Sequence, residues 1–211
     1  MENFSITILI IILTAITSIM AFNNPAMKGT ALFYPFAMRE RNEWFRFITS
    51  GFIHADFLHL GVNMFVLYSF GTTLEKFYLP EIFGASANLM YVAIYILGMI
   101  LSDVPSYFKH RHDATYRGLG ASGAVAAVLF ACILIGPFNG GIGFFFIPTL
   151  SVPPIVFGVL YIVYSYYMGR RGGDNINHDA HLYGALFGFI FPGIFKPELF
   201  TLLIDQIQMK L

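Results

Sequence analysis

Apolar residues in this chain gather into six runs, at positions 4–22, 57–77, 86–101, 119–137, 152–168 and 179–195, separated by Gly, Pro or charged residues. A hydrocarbon core of about 30 Å is crossed by a helix of about 20 residues at 1.5 Å each. The pattern therefore predicts an all-α, polytopic bundle of six transmembrane helices, forming a single domain over 1–211. No basic segment precedes the first run, so it reads as a retained helix and not as a cleaved signal. The segment 141–150 reads either as part of the fifth helix or as a hydrophobic loop before it. Pro148, Pro153 and Pro154 favour an interrupted or late-starting helix, because proline removes a backbone donor that hydrocarbon cannot replace.

The longest connection, 23–51, mixes Phe33, Tyr34, Phe36, Trp44 and Phe45 with Arg39, Glu40, Arg41, Glu43 and Arg46. Amphipathic rings and long basic side chains suit headgroup level, so this segment is expected to rest on the bilayer, as a plain anchor or as a scaffold beside a site. Hydrophobic residues make up 57% of the chain and charged ones 11%, which excludes an ordinary soluble domain. Formal net charge is zero and the basic residues are scattered, so no nucleic-acid partner is expected. Cys132 is the only cysteine, which leaves no intrachain disulfide and no multi-cysteine metal site; it reads as a small buried hydrophobe.

Four polar side chains within the runs need partners that lipid cannot supply: His59, Asn63, Ser122 and His181. His59 and Asn63 share one helix face at i and i+4, and His54 precedes them near the helix start. Interhelical hydrogen bonds that merely hold the bundle together are one explanation. Parity suggests another. The second, fourth and sixth helices run in the same direction, and all four residues lie near N-terminal ends, so they can meet at similar depth. Gly118, Gly120, Gly123 and Ala124 flank the serine, while Gly184 and Gly188 follow His181 on one face, which permits close helix contact whether for packing or for a Ser–His hydrogen bond. A serine at a helix N-terminus also has backbone N–H groups beside it for a developing oxyanion, with Asn63 and His59 as further donors. No carboxylate is evident at equivalent depth to orient His181, so the expectation is a dyad and not a triad.

Three separated motifs then point to a family. Residues 43–49, Glu-Trp-Phe-Arg-Phe-Ile-Thr with Trp44 and Arg46, lead into the spacing H-x4-H-x3-N at His54, His59 and Asn63. Gly120-Ala121-Ser122-Gly123 fits G-x-S-G, and Ala180-His181-Leu182-Tyr183-Gly184 with Gly188 fits A-H-x-x-G-x3-G. In this order, over nearly the whole chain, they resemble the rhomboid intramembrane proteases. The resemblance implies Ser122 as nucleophile and His181 as general base, with Asn63, His59 and the Ser122 amide around the oxyanion. It implies transmembrane protein substrates entering laterally near the second and fifth helices, membrane lipids as surroundings, and no metal or organic cofactor. Ala126 departs from the pattern, since many relatives carry an aromatic residue there beneath the histidine, which leaves another side chain to pack that ring. His178 is a rival base by proximity in sequence.

Two other functions compete: a rhomboid-like protein that binds or escorts membrane proteins without cleaving them, and a small transporter or metal-handling channel built on His54, His59, His178 and His181. Metal-site spacing such as H-E-x-x-H is missing from the sequence. The resemblance sets the expected location as the cell (inner) membrane of a bacterium. Orientation is contested. Lys28, Arg39, Arg41, Arg46, Lys109, Arg111, Arg117, Arg170 and Arg171 flank the active side, against Lys76, Lys196 and Lys210 opposite, so the positive-inside rule puts that side in the cytoplasm. The resemblance implies the reverse, with the active side opening outward, and is preferred here because an interfacial loop is not a plain translocated one.

Overall fold

The computed structural model describes residues 5–144, 147–174 and 176–210. Position 4 of the first apolar run and positions 145 and 146 of the uncertain segment lie outside these residues. Helix α1 (Ile6–Phe22) starts at Ser5, whose side chain accepts from the Ile8 N–H. The segment expected to rest on the bilayer folds into three short helices, α2 (Pro25–Ala31), α3 (Pro35–Arg41) and α4 (Arg46–Thr49). Proline opens α2 and α3, where its missing N–H costs no helical bond. Asp56 caps α5 (Phe57–Val66) by accepting from the His59 N–H at 2.8 Å. Wider, π-type turns at Leu67–Gly71 and Leu74–Tyr78 carry the chain on to α6 (Leu79–Phe83). Then follow α7 (Ala87–His110), α8 (Ser122–Ile135), strands β1 (Ile142–Phe144) and β2 (Ile147–Val152), α9 (Pro154–Arg171), α10 (His178–Phe195) and α11 (Glu198–Gln208).

The chain is mostly helical, as expected, with corrections. Segment 141–150 is neither helix nor plain loop: β1 and β2 pair antiparallel, Ile142 opposite Val152, so backbone groups that proline and glycine keep out of a helix bond to each other. The fourth helix begins at Ser122 itself, three residues past the start of the apolar run at 119, so the serine is its first residue. The third helix runs nine residues past the expected end at 101, to His110. Helix α11 was not anticipated; it turns through 113° from α10 and buries Leu199 and Leu203 at i and i+4. By length and composition, among the described residues, only the run Phe57–His110 is long and apolar enough to cross a membrane, with the bent pair α10–α11 as a second. Helices α1 and α8 are shorter apolar helices, so the count of six crossings is not fixed by these criteria.

Helix α8 forms the centre, with every residue from Gly123 to Leu134 buried. A helix apolar on all sides must be surrounded, and α7, α9, α10 and α11 all pack against it. Contact with α10 is backbone on backbone: a methyl added to Gly184 would overlap the Gly123 carbonyl oxygen, and one on Gly188 that of Ala127. Helix α7 closes in similarly, where a methyl on Gly98 would lie 2.7 Å from the Ala127 Cβ. One charge inside the second apolar run also has a structural task. Glu75 accepts from Ser5 Oγ at 2.7 Å and from the Ile6 and Thr7 N–H groups at 2.6 and 2.9 Å, which satisfies donors that the start of α1 leaves open.

Close packing at Gly184 predicts opposite outcomes for two glycine substitutions. Gly184→Ala should lower the melting temperature in detergent, with a loss of about 1–3 kcal/mol as for other overpacked contacts. Gly61→Ala, with open space around it, should be neutral or stabilising by up to about 1 kcal/mol. Equal melting of the two variants would mean that α8 and α10 do not touch at this level.

Candidate active site

Ser122 is placed by the turn ahead of α8, and that turn is tied to two other parts of the chain. Gly118 and Phe33 exchange two backbone hydrogen bonds of 2.9 Å, and the Gly120 N–H donates to the Ser50 carbonyl at 2.9 Å. The Ala121 N–H donates to His54 Nε2 at 3.4 Å. Because Nε2 accepts, the proton of a neutral His54 belongs on Nδ1, which donates to Ser18 Oγ at 2.9 Å; Ser18 passes its own proton to the Phe52 carbonyl at 3.1 Å. Gly120 has φ +112°, and a Cβ there would sit 2.7 Å from the His59 ring, so glycine is needed on both counts.

Trp44 and Arg46 support this turn from the α3–α4 region, which makes the segment a scaffold. Buried Arg46 donates from Nε to Glu43 at 2.6 Å and from Nη1 to the Gly29 and Leu32 carbonyls at 3.0 and 2.7 Å. Its own carbonyl accepts from Ser50 Oγ at 2.6 Å, the residue that holds Gly120. Trp44 lies nearly parallel to Phe47, with centroids 6.4 Å apart, and contacts Tyr107 of α7 at 5.3 Å.

On α10, Asn177 caps the helix that carries His181. Its Oδ1 accepts from the Ala180 N–H at 3.1 Å and from Ser106 Oγ at 3.0 Å, and its Nδ2 donates to Asp103 at 3.1 Å. Sequence reasoning missed Ser102, Asp103, Ser106 and Asn177. The signal was three polar residues at i, i+1 and i+4 just past the expected end of the third run. It also missed that a carboxylate stands near the serine: Asp103 shares a water-sized cavity of about 10 Å³ with Ser122, Gly123 and Ser102. Its hydrogen bond goes to Asn177 and not to His181. His178 donates from Nε2 to Asp174 at 3.0 Å and meets Tyr164 edge-on, outside the cavity described next. That bond holds the Asp174 carboxyl below the usual carboxylate range.

A larger cavity, of about 530 Å³, opens between α5, α8, α9 and α10 and is lined by His59, Asn63, Ser122 and His181 together. Its remaining walls are largely apolar, from Val62, Val66, Val125, Ala126, Phe157 and Tyr161. Asn63 donates one amide hydrogen to the His59 carbonyl at 2.9 Å, which leaves the second for another acceptor. Among the described residues no hydrogen bond joins Ser122 Oγ to the His181 ring. The ring instead faces Tyr161 at 6.1 Å and 23°, so a side chain from α9 packs it where Ala126 does not. Among the described residues no three His, Cys, Asp or Glu gather as a metal site.

A family model described as a Rhomboid domain matches residues 41–198. Over 145 residues the chain is 32% identical to "RHOMBOID-like protein 12, mitochondrial" of Arabidopsis thaliana, covering 65% of this chain and 42% of that protein. It is 30% identical over 150 residues to "Presenilin-associated rhomboid-like protein A, mitochondrial" of Danio rerio, covering 69% of this chain and 36% of that one. With "Rhomboid protease GluP" of Bacillus subtilis it shares 29% over 150 residues, 71% of this chain and 25% of the relative. The match thus spans less than half the length of each of these relatives. Two of the three are named mitochondrial, so the expectation of a bacterial inner membrane gains no support from them. With the domain match extending over most of its length, this chain belongs to the rhomboid family of integral membrane proteins.

Proposed function

We propose that the chain is an intramembrane serine endopeptidase that hydrolyses peptide bonds in or beside transmembrane segments of other proteins, with Ser122 as nucleophile and His181 as general base. The observation that carries this reading is the shared cavity: Ser122, His181, Asn63 and His59 come from three helices and line one space with apolar walls. In this mechanism His181 takes the Ser122 proton as Oγ attacks the scissile carbonyl, and returns it to the leaving amine. The negative oxygen forms beside the N-terminus of α8, where the Ser122 N–H, the free Asn63 amide hydrogen and the His59 ring can donate. Water then hydrolyses the acyl-enzyme with His181 again as base. The missing Ser–His hydrogen bond is compatible with this chemistry, because such bonds are often long in the absence of substrate.

In the same proposal α1, α5–α6, α7, α8, α9 and α10 are the six crossing helices. Substrate enters between α5 and α9, which barely touch each other. Apolar residues of both helices line the cavity there, Leu58 and Val62 on one side and Phe157 and Tyr161 on the other. Transmembrane proteins and lipid are the partners this surface fits. The unformed Ser–His bond also favours a second reading, in which the cavity holds a membrane segment without cutting it. Incubation with a panel of model transmembrane substrates, Ser122→Ala as control, separates the two. Cleavage by the native chain alone supports the protease, and binding without cleavage of any substrate supports the escort.

Two predictions follow from the assignment of roles. Covalent capture by a serine-directed fluorophosphonate should vanish in Ser122→Ala and fall steeply in His181→Ala, yet persist in His178→Ala, whose ring is committed to Asp174. Capture that survives in His181→Ala but not in His178→Ala, both folded, would reassign the base. Asn63→Ala should keep the fold and cut turnover by about 10–1000-fold, the cost of one lost oxyanion donor. Unchanged turnover would remove Asn63 from the mechanism.

A further inference from the structure

A general base must present one ring nitrogen to the nucleophile, and an imidazole free to turn about its χ2 bond presents it only part of the time. The usual restraint is a hydrogen bond from the other ring nitrogen to a carboxylate or carbonyl. His181 has no such bond among the described residues, and the carboxylates around its helix start are committed elsewhere: Asp103 to Asn177, Asp174 to His178 and Asp179 to Lys109. Stacking is the remaining way to hold a flat ring. Tyr161 supplies it, with centroids 6.1 Å apart and planes 23° from parallel.

His178 does not do the same work, because it meets His181 edge-on at 75° and 5.8 Å, a contact that leaves the plane to be set by the opposite face. Tyr161 is itself held. Phe130 of α8 lies 5.5 Å from it and Phe157, one turn earlier on α9, lies 5.9 Å away. The α8 wall of the cavity offers nothing in its place, since Ala126, one turn beyond Ser122, ends at Cβ. We propose that Tyr161 is a positioning residue, supplied by α9, whose ring fixes the plane of His181 for proton transfer from Ser122; the proposal rests on the protease reading.

The test compares substitutions that keep or remove the ring. Tyr161→Leu fills much of the space without a flat face, and should slow fluorophosphonate capture and lower kcat by about 10- to 100-fold, as a misplaced reacting group does. Tyr161 also lines the cavity, so KM is expected to change somewhat, but the loss of kcat and of capture rate should appear only where the ring is removed. Tyr161→Phe, which restores the ring without the hydroxyl, should recover most of the lost rate. Tyr161→Met replaces Tyr161→Leu if the latter melts early in detergent. The role of Tyr161 is overturned if the Leu or Met variant reacts at the native rate, if Phe is as slow as they are, or if the change falls on KM with kcat intact. A native chain that neither labels at Ser122 nor cleaves any substrate overturns the protease reading, and this inference with it.

Discussion

Helices in lipid gain little by burying apolar side chains, because the solvent they leave is as apolar as the partner they meet. What holds them is close van der Waals contact, and among the described residues the closest backbone approach between two helices at a glycine is that of α8 with α10. Gly184 and Gly188 rest on the carbonyls of Gly123 and Ala127, with no room for a methyl between them. Everything at the site depends on that approach, since it sets how far Ser122, at the start of one helix, stands from His181, one turn into the other. Helix α7 completes the arrangement through Gly98 on one level and Ser102 on another, the latter pressed against Gly123.

Around this apolar centre the polar groups form closed sets and not an open scatter. His54 joins the turn before Ser122 to α1 through Ser18, and Arg46 joins it to the α2–α4 scaffold through Ser50. Asn177 joins α10 to Asp103 and Ser106 of α7. Each link satisfies groups that would be costly to leave unpaired away from water. Together they fix the N-terminal ends of α8 and α10, while α5 and α9 barely touch each other. A bundle tied on one side and loose on the other suits the lateral entry of substrate that the proposed function requires.

Charge inside the bundle follows the same economy. Glu75, Asp103 and Arg46 all stand in or beside apolar segments, and each is paired: Glu75 with Ser5 and the start of α1, Asp103 with the capping amide of Asn177, and Arg46 with Glu43 and two backbone carbonyls. None is aimed at His181, which leaves the candidate base oriented by ring packing.

Much of this was open to reading in the sequence because it depends on local or periodic properties. Apolar runs mark helices, parity puts His59, Asn63, Ser122 and His181 at one level, and the spacing of Gly184 and Gly188 marks a contact face. These follow from helix geometry alone. Tertiary structure decided the rest. The hairpin at 142–152 forms because two strands find each other's backbone groups, and α11 exists because Leu199 and Leu203 meet the end of α8. Neither partner is visible to a pattern read along one segment. The Asp103–Asn177 bond and the Tyr161–His181 stack join α10 to α7 and to α9, contacts between separate helices that depend on how those helices pack against one another. Sequence determined which residues stand at the right depth; only packing determined which of them touch.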